Sequence, residues 1–286
     1  MLKIAKEYPH RGPMQQFRLD EAAAFDCFRC GETKKAKLRT VYGGDQARLL
    51  CNGCYGRLLS IFDIKAGTGT DDEKAAGLAD LLLGLASVDE ARRAARLLQV
   101  AQKHVDVMNP LAVRFLGTAE HVAASLHDKP NLDWSAAIIG LCKAVEVETV
   151  SRLVDPLRAT CSGLNLDDDM KDKDLGRVAA YCGGRSNKPP EIGPSRHSLQ
   201  TAANSQRRAA TSPLLQSLQR LMATWPASSW LLSSAGLVDK LDILASRFRN
   251  PAAHIDELGR DDYLACRELV AGTDGLLWHL IVSTTR

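Results

Sequence analysis

The sequence predicts a mainly α-helical protein that opens with a small metal-binding β-hairpin module and continues as an all-helical bundle. Three observations carry that expectation. Two Cys-x-x-Cys pairs, Cys27 with Cys30 and Cys51 with Cys54, bracket a stretch with strand and turn character. From residue 71 onward apolar residues recur at helix spacing, beginning with Ala75, Leu78, Ala79, Leu82 and Leu85. Aromatic residues are only 5% of the 286 while Ala and Leu abound, and sheet cores lean on β-branched and aromatic side chains. The chain divides on this reading into a module over 1–66, a helical connecting segment over 67–130 and a second helical domain over 131–286.

Taken in order, residues 1–15 hold charges, two prolines and no apolar run, and are read as no secretory signal. A two-residue spacing lets both thiolates of a pair reach one tetrahedral ion, so Cys27, Cys30, Cys51 and Cys54 close a four-sulfur site. Between the pairs, residues 36–42 read as a strand, Gly43-Gly44-Asp45 as a tight turn and 46–50 as the return strand. A helix follows over 55–64 with Leu58, Leu59, Ile61 and Phe62 on its buried side. The arrangement resembles a zinc ribbon or treble clef, with one structural zinc per chain and no open metal position for catalysis. Two disulfides, the rival pairing, need an oxidising compartment of which the sequence gives no sign. Lys34, Lys35, Lys37 and Arg39, with Arg48, Arg57 and Lys65, face only Glu32, Asp45 and Asp63. Such a basic hairpin suits contact with RNA phosphates, and equally the docking of a protein.

Past residue 71, Ser87 and Glu90 form a capping box that starts a helix running to about residue 108. Asn109-Pro110 begins the next, to about 127. Asp133 caps a helix that Pro156 is expected to break near residue 154. Residues 167–174 read as a solvated charged loop, Gly183-Gly184 as a helix stop, and 185–195, with three prolines, as a loop. Further helices are expected over 196–208, 213–224, 236–249 and 260–283. A net charge of +3 excludes a protein-wide grip on nucleic acid, and the most apolar run, 78–86, is interrupted by Asp80 and too short for a bilayer. The chain is read as soluble and cytoplasmic, with no membrane partner. His104, His121 and His127 have no ligand partners at metal spacing, and Cys142, Cys161, Cys182 and Cys266 read as buried hydrophobes.

Chemistry concentrates in Arg247-Phe248-Arg249-Asn250-Pro251-Ala252-Ala253-His254. Pro251 lacks an N–H and is expected to kink or end the helix entering from Leu237. That would leave Arg249 and Asn250 in its last turn and His254 just beyond. A guanidinium beside an imidazole suits a phosphodiester, since one grips phosphate oxygens and the other moves a proton.

The segment Arg249-Asn250-Pro251-Ala252-Ala253-His254, with the following 260–270, resembles the signature of the HEPN superfamily. The run from Ala136 to Glu148 is similar to the first long helix of such domains. The likeness covers about 131–286, with a long polar stretch over 165–212 as its departure. It implies a small all-helical domain and a metal-independent endoribonuclease, of the kind found in phage defence, toxin systems or RNA processing. It further implies attack of the ribose 2′-hydroxyl, leaving a 2′,3′-cyclic phosphate. His254 would be acid or base, Arg249 would stabilise phosphate charge, Asn250 would position either, and Glu146 would support the pair. The expected partners are RNA, a second copy of the chain and a neutralising protein such as an antitoxin. The competing expectation is a non-catalytic zinc-ribbon adaptor or RNA-binding scaffold.

Overall fold

A computed structural model of the chain describes residues 3–98, 102–127, 132–233, 235–254 and 257–285. The boundary expected at 130 and 131, and residues 99–101 of the helix expected over 87–108, lie outside them. The chain separates into two compact units, Met1–Gly69 and Thr70–Arg286.

The first unit is an antiparallel sheet in the order β1-β2-β3-β4, followed by one helix. Its strands are β1 (Ile4–Glu7), β2 (Met14–Asp26), β3 (Thr33–Tyr42) and β4 (Asp45–Leu50). The sequence reading contained only β3 and β4. The 13-residue β2 includes Glu21-Ala22-Ala23-Ala24, a run that favours helix, so its strand state comes from pairing with β3 rather than from local preference. Register runs from Met14 opposite Tyr42 to Arg18 opposite Leu38, shifts across residues 19–22, and resumes from Ala23 opposite Ala36 to Asp26 opposite Thr33. Gly43 and Gly44 (φ +62° and +73°) supply the positive dihedrals of a two-residue hairpin turn. Helix α1 (Asn52–Ala66) buries Leu58 and Ile61, with Leu59 and Phe62 half-covered. The Phe62 ring lies where a side chain on Gly12 (φ +57°) would sit, 2.5 Å from an ideal Cβ.

The second unit is helical throughout its described residues. It comprises α2 (Asp71–Leu83), α3 (Val88–Arg96), α4 (Gln102–Val107), α5 (Pro110–Ser125), α6 (Ser135–Thr149), α7 (Asp155–Thr160), α8 (Lys173–Cys182), α9 (Ile192–Asn204) and α10 (Gln206–Thr211). It ends with α11 (Pro213–Met222), α12 (Ser229–Leu232), α13 (Leu237–Ile243), α14 (Asn250–Ala253), α15 (Arg260–Ala271) and α16 (Leu276–Thr284). The helix expected over 260–283 is two, because the chain turns extended at Gly272 and restarts after Gly275. Helix α6 is the centre: Ala136 through Cys142, Ala144 and Val145 are all buried, and α2, α5, α15 and α16 pack around it. The helices of 71–125 thus share a core with those after residue 131, and the segment read as a connector is part of the bundle. No described helix is long and apolar enough to cross a membrane.

Both prolines expected to break helices are instead absorbed by π-helical turns. Val150–Val154 precedes Pro156, and Leu244–Arg249 precedes Pro251. In each, the N–H before the proline reaches five residues back, Asp155 to Val150 and Asn250 to Ala245. The wider turn removes the requirement that the proline donate to, and fit against, the carbonyl four residues back. The helix from Leu237 therefore continues through Ala253, and His254 (φ −86°, ψ 172°) leaves it extended.

Packing of α3 on α5 is closest at Gly117, where an ideal Cβ would lie 1.6 Å from the Ala91 carbonyl oxygen. Gly117→Ala forces the helices apart and is expected to cost about 1–3 kcal/mol. Denaturant unfolding of the helical unit, followed by circular dichroism, measures it.

Candidate functional site

The chain presents two clusters with chemical potential, one in each unit. In the first, the sulfurs of Cys27, Cys30, Cys51 and Cys54 all lie within 4.8 Å of one another, and all are free thiols. Cys27 and Cys30 sit between β2 and β3, and Cys51 and Cys54 where β4 runs into the first turn of α1. Cys30 and Cys51 are 4.0 Å apart, close to the roughly 3.8 Å separation of sulfurs on a tetrahedral ion with ~2.3 Å bonds. The four therefore fit a single metal ion that fills its coordination shell with sulfur.

Electrostatics supports the same conclusion. Burial raises the Cys27 thiol, but the backbone N–H groups of Cys30, Cys51 and Arg29 outweigh it and bring it down to about 7. Burial and the nearby Cys27 push Cys54 up to about 12, and burial raises Cys30 as well. Cys27 thus takes a negative charge readily, while Cys30 and Cys54 resist following. A divalent cation removes that resistance and lets all four become thiolates. A groove of about 510 Å³ runs past the cluster, with Lys34, Lys35 and Arg57 in its lining.

The second cluster is built on the helix end that Pro251 and its π turn shape. Arg249 is the last residue of that turn and its side chain is only 8% exposed. Its Nη1 donates to Asn250 Oδ1 at 3.0 Å, and its Nη2 donates to a carboxylate oxygen of Asp72. Its Nε is buried with no hydrogen-bond partner. His254, at the end of α14, is 54% exposed and places Nε2 3.6 Å from Asp71 Oδ1. The motif's two chemical groups are thereby brought against consecutive carboxylates on the first turn of α2. That turn is fixed by a capping box: Thr70 Oγ1 accepts from the Glu73 N–H, and the Thr70 N–H donates to Glu73 Oε2.

The charges extend as a chain. Asp72 Oδ2 is 3.3 Å from Arg177 Nη1 on α8, which is 3.5 Å from Glu191 Oε2, whose other oxygen is 2.7 Å from Lys188 Nζ. The Glu191 carboxylate holds the Lys188 ammonium above its ordinary value. A cavity of about 360 Å³ opens beside this chain, its polar lining including Asp72, Glu73, Arg177, Lys188 and Glu191.

Arg249, Asn250 and His254 are thus neighbours, as their spacing implies, whereas Glu146 lines a cavity with Asp72 and makes no hydrogen bond or ion pair to the three among the described residues. It is hydrogen-bonded to Lys143 on its own helix, and Asp71 and Asp72 hold the carboxylate positions beside His254 and Arg249. Sequence reasoning missed both aspartates, because acidic residues in a helix's first turn read as ordinary complements to its dipole. Among the basic residues of the hairpin, Lys34 pairs with Glu32, while Arg39 donates to the Ala24 carbonyl and stacks on Phe25. Lys35 and Lys37 are exposed and have no ion-pair partner among the described residues. No protein-family model, curated protein or solved structure matches the chain.

The four-sulfur geometry predicts one equivalent of bound divalent metal per chain by elemental analysis. Cys54→Ser and Cys27→Ser each drop it well below one. Because the helical unit has its own core, such variants keep most of their far-ultraviolet helix signal while the sheet loses protection from hydrogen exchange.

Proposed function

We propose that the helical unit is a metal-independent endoribonuclease of the HEPN type and that the four-cysteine module carries one structural zinc. The observation that supports the first part is the grouping of Arg249, Asn250 and an exposed His254 at one helix end, where Asp72, the ion-pair partner of Arg249, lines a cavity. Zinc is the metal that four thiolates at tetrahedral separation favour, and a filled shell leaves it structural.

In the proposed reaction the ribose O2′ attacks the adjacent phosphorus while the bond from phosphorus to O5′ breaks, giving a 2′,3′-cyclic phosphate and a 5′-hydroxyl. One imidazole takes the proton from O2′ and a second, protonated, gives one to O5′. Among the described residues a single chain contributes only His254 at this site, so the scheme calls for a homodimer in which the partner's His254 supplies the other group. Arg249 stabilises the charge that builds on the phosphate oxygens. The basic hairpin, through Lys35 and Lys37, assists in holding RNA, and a protein such as an antitoxin would act by covering the His254 face.

The burial of Arg249 and its ion pair favour a second reading, a zinc-ribbon adaptor in which this cluster serves only to dock α2 on α14. The two readings separate cleanly. The zinc-loaded full chain, dialysed free of magnesium, calcium and manganese, is incubated with pooled cellular RNA and the termini are mapped. The ribonuclease reading expects cyclic phosphate ends from wild type and a loss of about 10²–10⁴-fold in rate for His254→Ala. Arg249→Lys keeps the charge but not the planar fork and is expected to recover little of the activity. Arg249→Ala is the poorer probe, because it leaves Asp72 without its buried counterion and lowers stability as well. Intact RNA under all conditions, or full activity in His254→Ala, replaces the enzyme with the adaptor.

A further inference from the structure

We infer that Asp72 holds the place of a phosphate group between Arg249 and Arg177, and that Arg177 is a second phosphate-contacting residue of the site. The inference rests on the ribonuclease reading for the identity of the ligand, an RNA phosphodiester, but not for the geometry. A guanidinium presents its best two-point face through Nε and Nη2, which point the same way. Asp72 uses only half of that face on Arg249. One carboxylate oxygen accepts from Nη2, and the other is 3.3 Å from Arg177 Nη1. The Arg249 Nε–H is left buried without an acceptor, on a side chain more than nine-tenths covered. As placed, the Asp72 carboxylate serves one donor on each guanidinium and leaves Arg249 Nε unmet, whereas a tetrahedral phosphate has oxygens to serve both Arg249 nitrogens and Arg177 together.

Access and charge agree with this assignment. Asp72 and Arg177 both line the cavity of about 360 Å³, and Arg177 is 46% exposed, so a ligand reaches the pair without unfolding α8. Release of Asp72 toward solvent leaves Arg249, Arg177 and Lys188 against Glu191 and Glu73, which lines the same cavity, so three cations face two carboxylates there. The site then carries a positive excess that fits an anion. His254 stands at the neighbouring carboxylate, Asp71, beside the phosphate position. Asp72 is on this view a resident competitor, and its removal strengthens phosphate binding, the opposite of what a purely structural ion pair would do.

The test uses the zinc-loaded full chain and a short single-stranded 2′-O-methyl oligoribonucleotide, which carries the phosphodiesters but lacks the hydroxyl needed for cleavage. Fluorescence anisotropy measures its affinity for wild type, Asp72→Asn, Arg177→Ala, Arg177→Lys and Arg93→Ala, the last a control for loss of an exposed cation elsewhere. Asp72→Asn is expected to bind on the order of tenfold tighter and with a steeper salt dependence, as one competing charge is gone. Arg177→Ala weakens binding by a similar factor, Arg177→Lys recovers part of it, and Arg93→Ala changes little. Inorganic phosphate competes with the oligonucleotide in wild type and more strongly in Asp72→Asn. Unchanged or weaker binding by folded Asp72→Asn overturns the inference, as does no measurable binding by any form. If Asp72→Asn does not fold, Arg177→Ala decides alone, because its exposed side chain is dispensable for packing: a loss no larger than that of Arg93→Ala overturns it. Oligonucleotide binding that follows this pattern without any RNA cleavage keeps the phosphate site and removes the ribonuclease; cleavage without the pattern does the reverse.

Discussion

Helix α6 meets water only along a narrow edge, where Lys143 and Glu146 pair with each other and are each 14% exposed. Its Ala, Ile, Leu and Val residues point in every direction and nearly all are buried, so it must be enclosed by other helices. Small residues set how closely they approach: an ideal Cβ on Gly140 would meet Leu82 of α2 at 2.4 Å and the Phe115 carbonyl of α5 at 3.3 Å. Enclosure of this one helix brings elements from distant parts of the chain to a common surface. Helix α2, before it in sequence, and α14, after it, both pack on α6 and on each other. The meeting of Asp72 with Arg249 follows from that shared neighbour.

The prolines refine the arrangement. A proline inside an ordinary α-helix costs about 3 kcal/mol, and a break at Pro251 would have carried His254 away from the end of α13. The π turn keeps the helix going for one more turn, so that Arg249 is turned inward while His254 leaves at the rim. The earlier π turn does comparable work at the other end of the core. It sets Arg152 so that its Nε meets Glu148 and its Nη2 donates to the Val107 carbonyl, while the fully buried Glu148 also accepts from the Asn109 N–H. Every charge in that network has a partner, which is what makes its burial tolerable.

The Arg249 site differs in this respect. Its guanidinium is as deeply placed, yet one N–H is unmatched and its counterion is shared with an exposed arginine. An unmatched buried Nε also occurs at Arg39 and Arg114, so what sets Arg249 apart is the sharing of its counterion with the exposed Arg177. In the cysteine module burial and the neighbouring Cys27 oppose charge on Cys54, an opposition that a bound cation removes.

The sequence by itself determined the pairing of the four cysteines, the helical class, and the local grouping of Arg249, Asn250 and His254, because each depends on spacing within a few residues. The turn at Gly43-Gly44 and the capping box at Ser87 and Glu90 were legible for the same reason. What needed the tertiary structure depends on partners far along the chain. The alanine-rich half of β2 becomes a strand only against β3. Pro156 and Pro251 lie inside continuing helices only because the packed core rewards continuity over a break. Asp71 and Asp72 stand more than 170 positions from the groups they face, so no local pattern marks them apart from any other acidic first turn. Glu146 pairs with Lys143, three residues back on its own helix. Local spacing decides which groups can act together, and the burial of α6 decides which charges they meet.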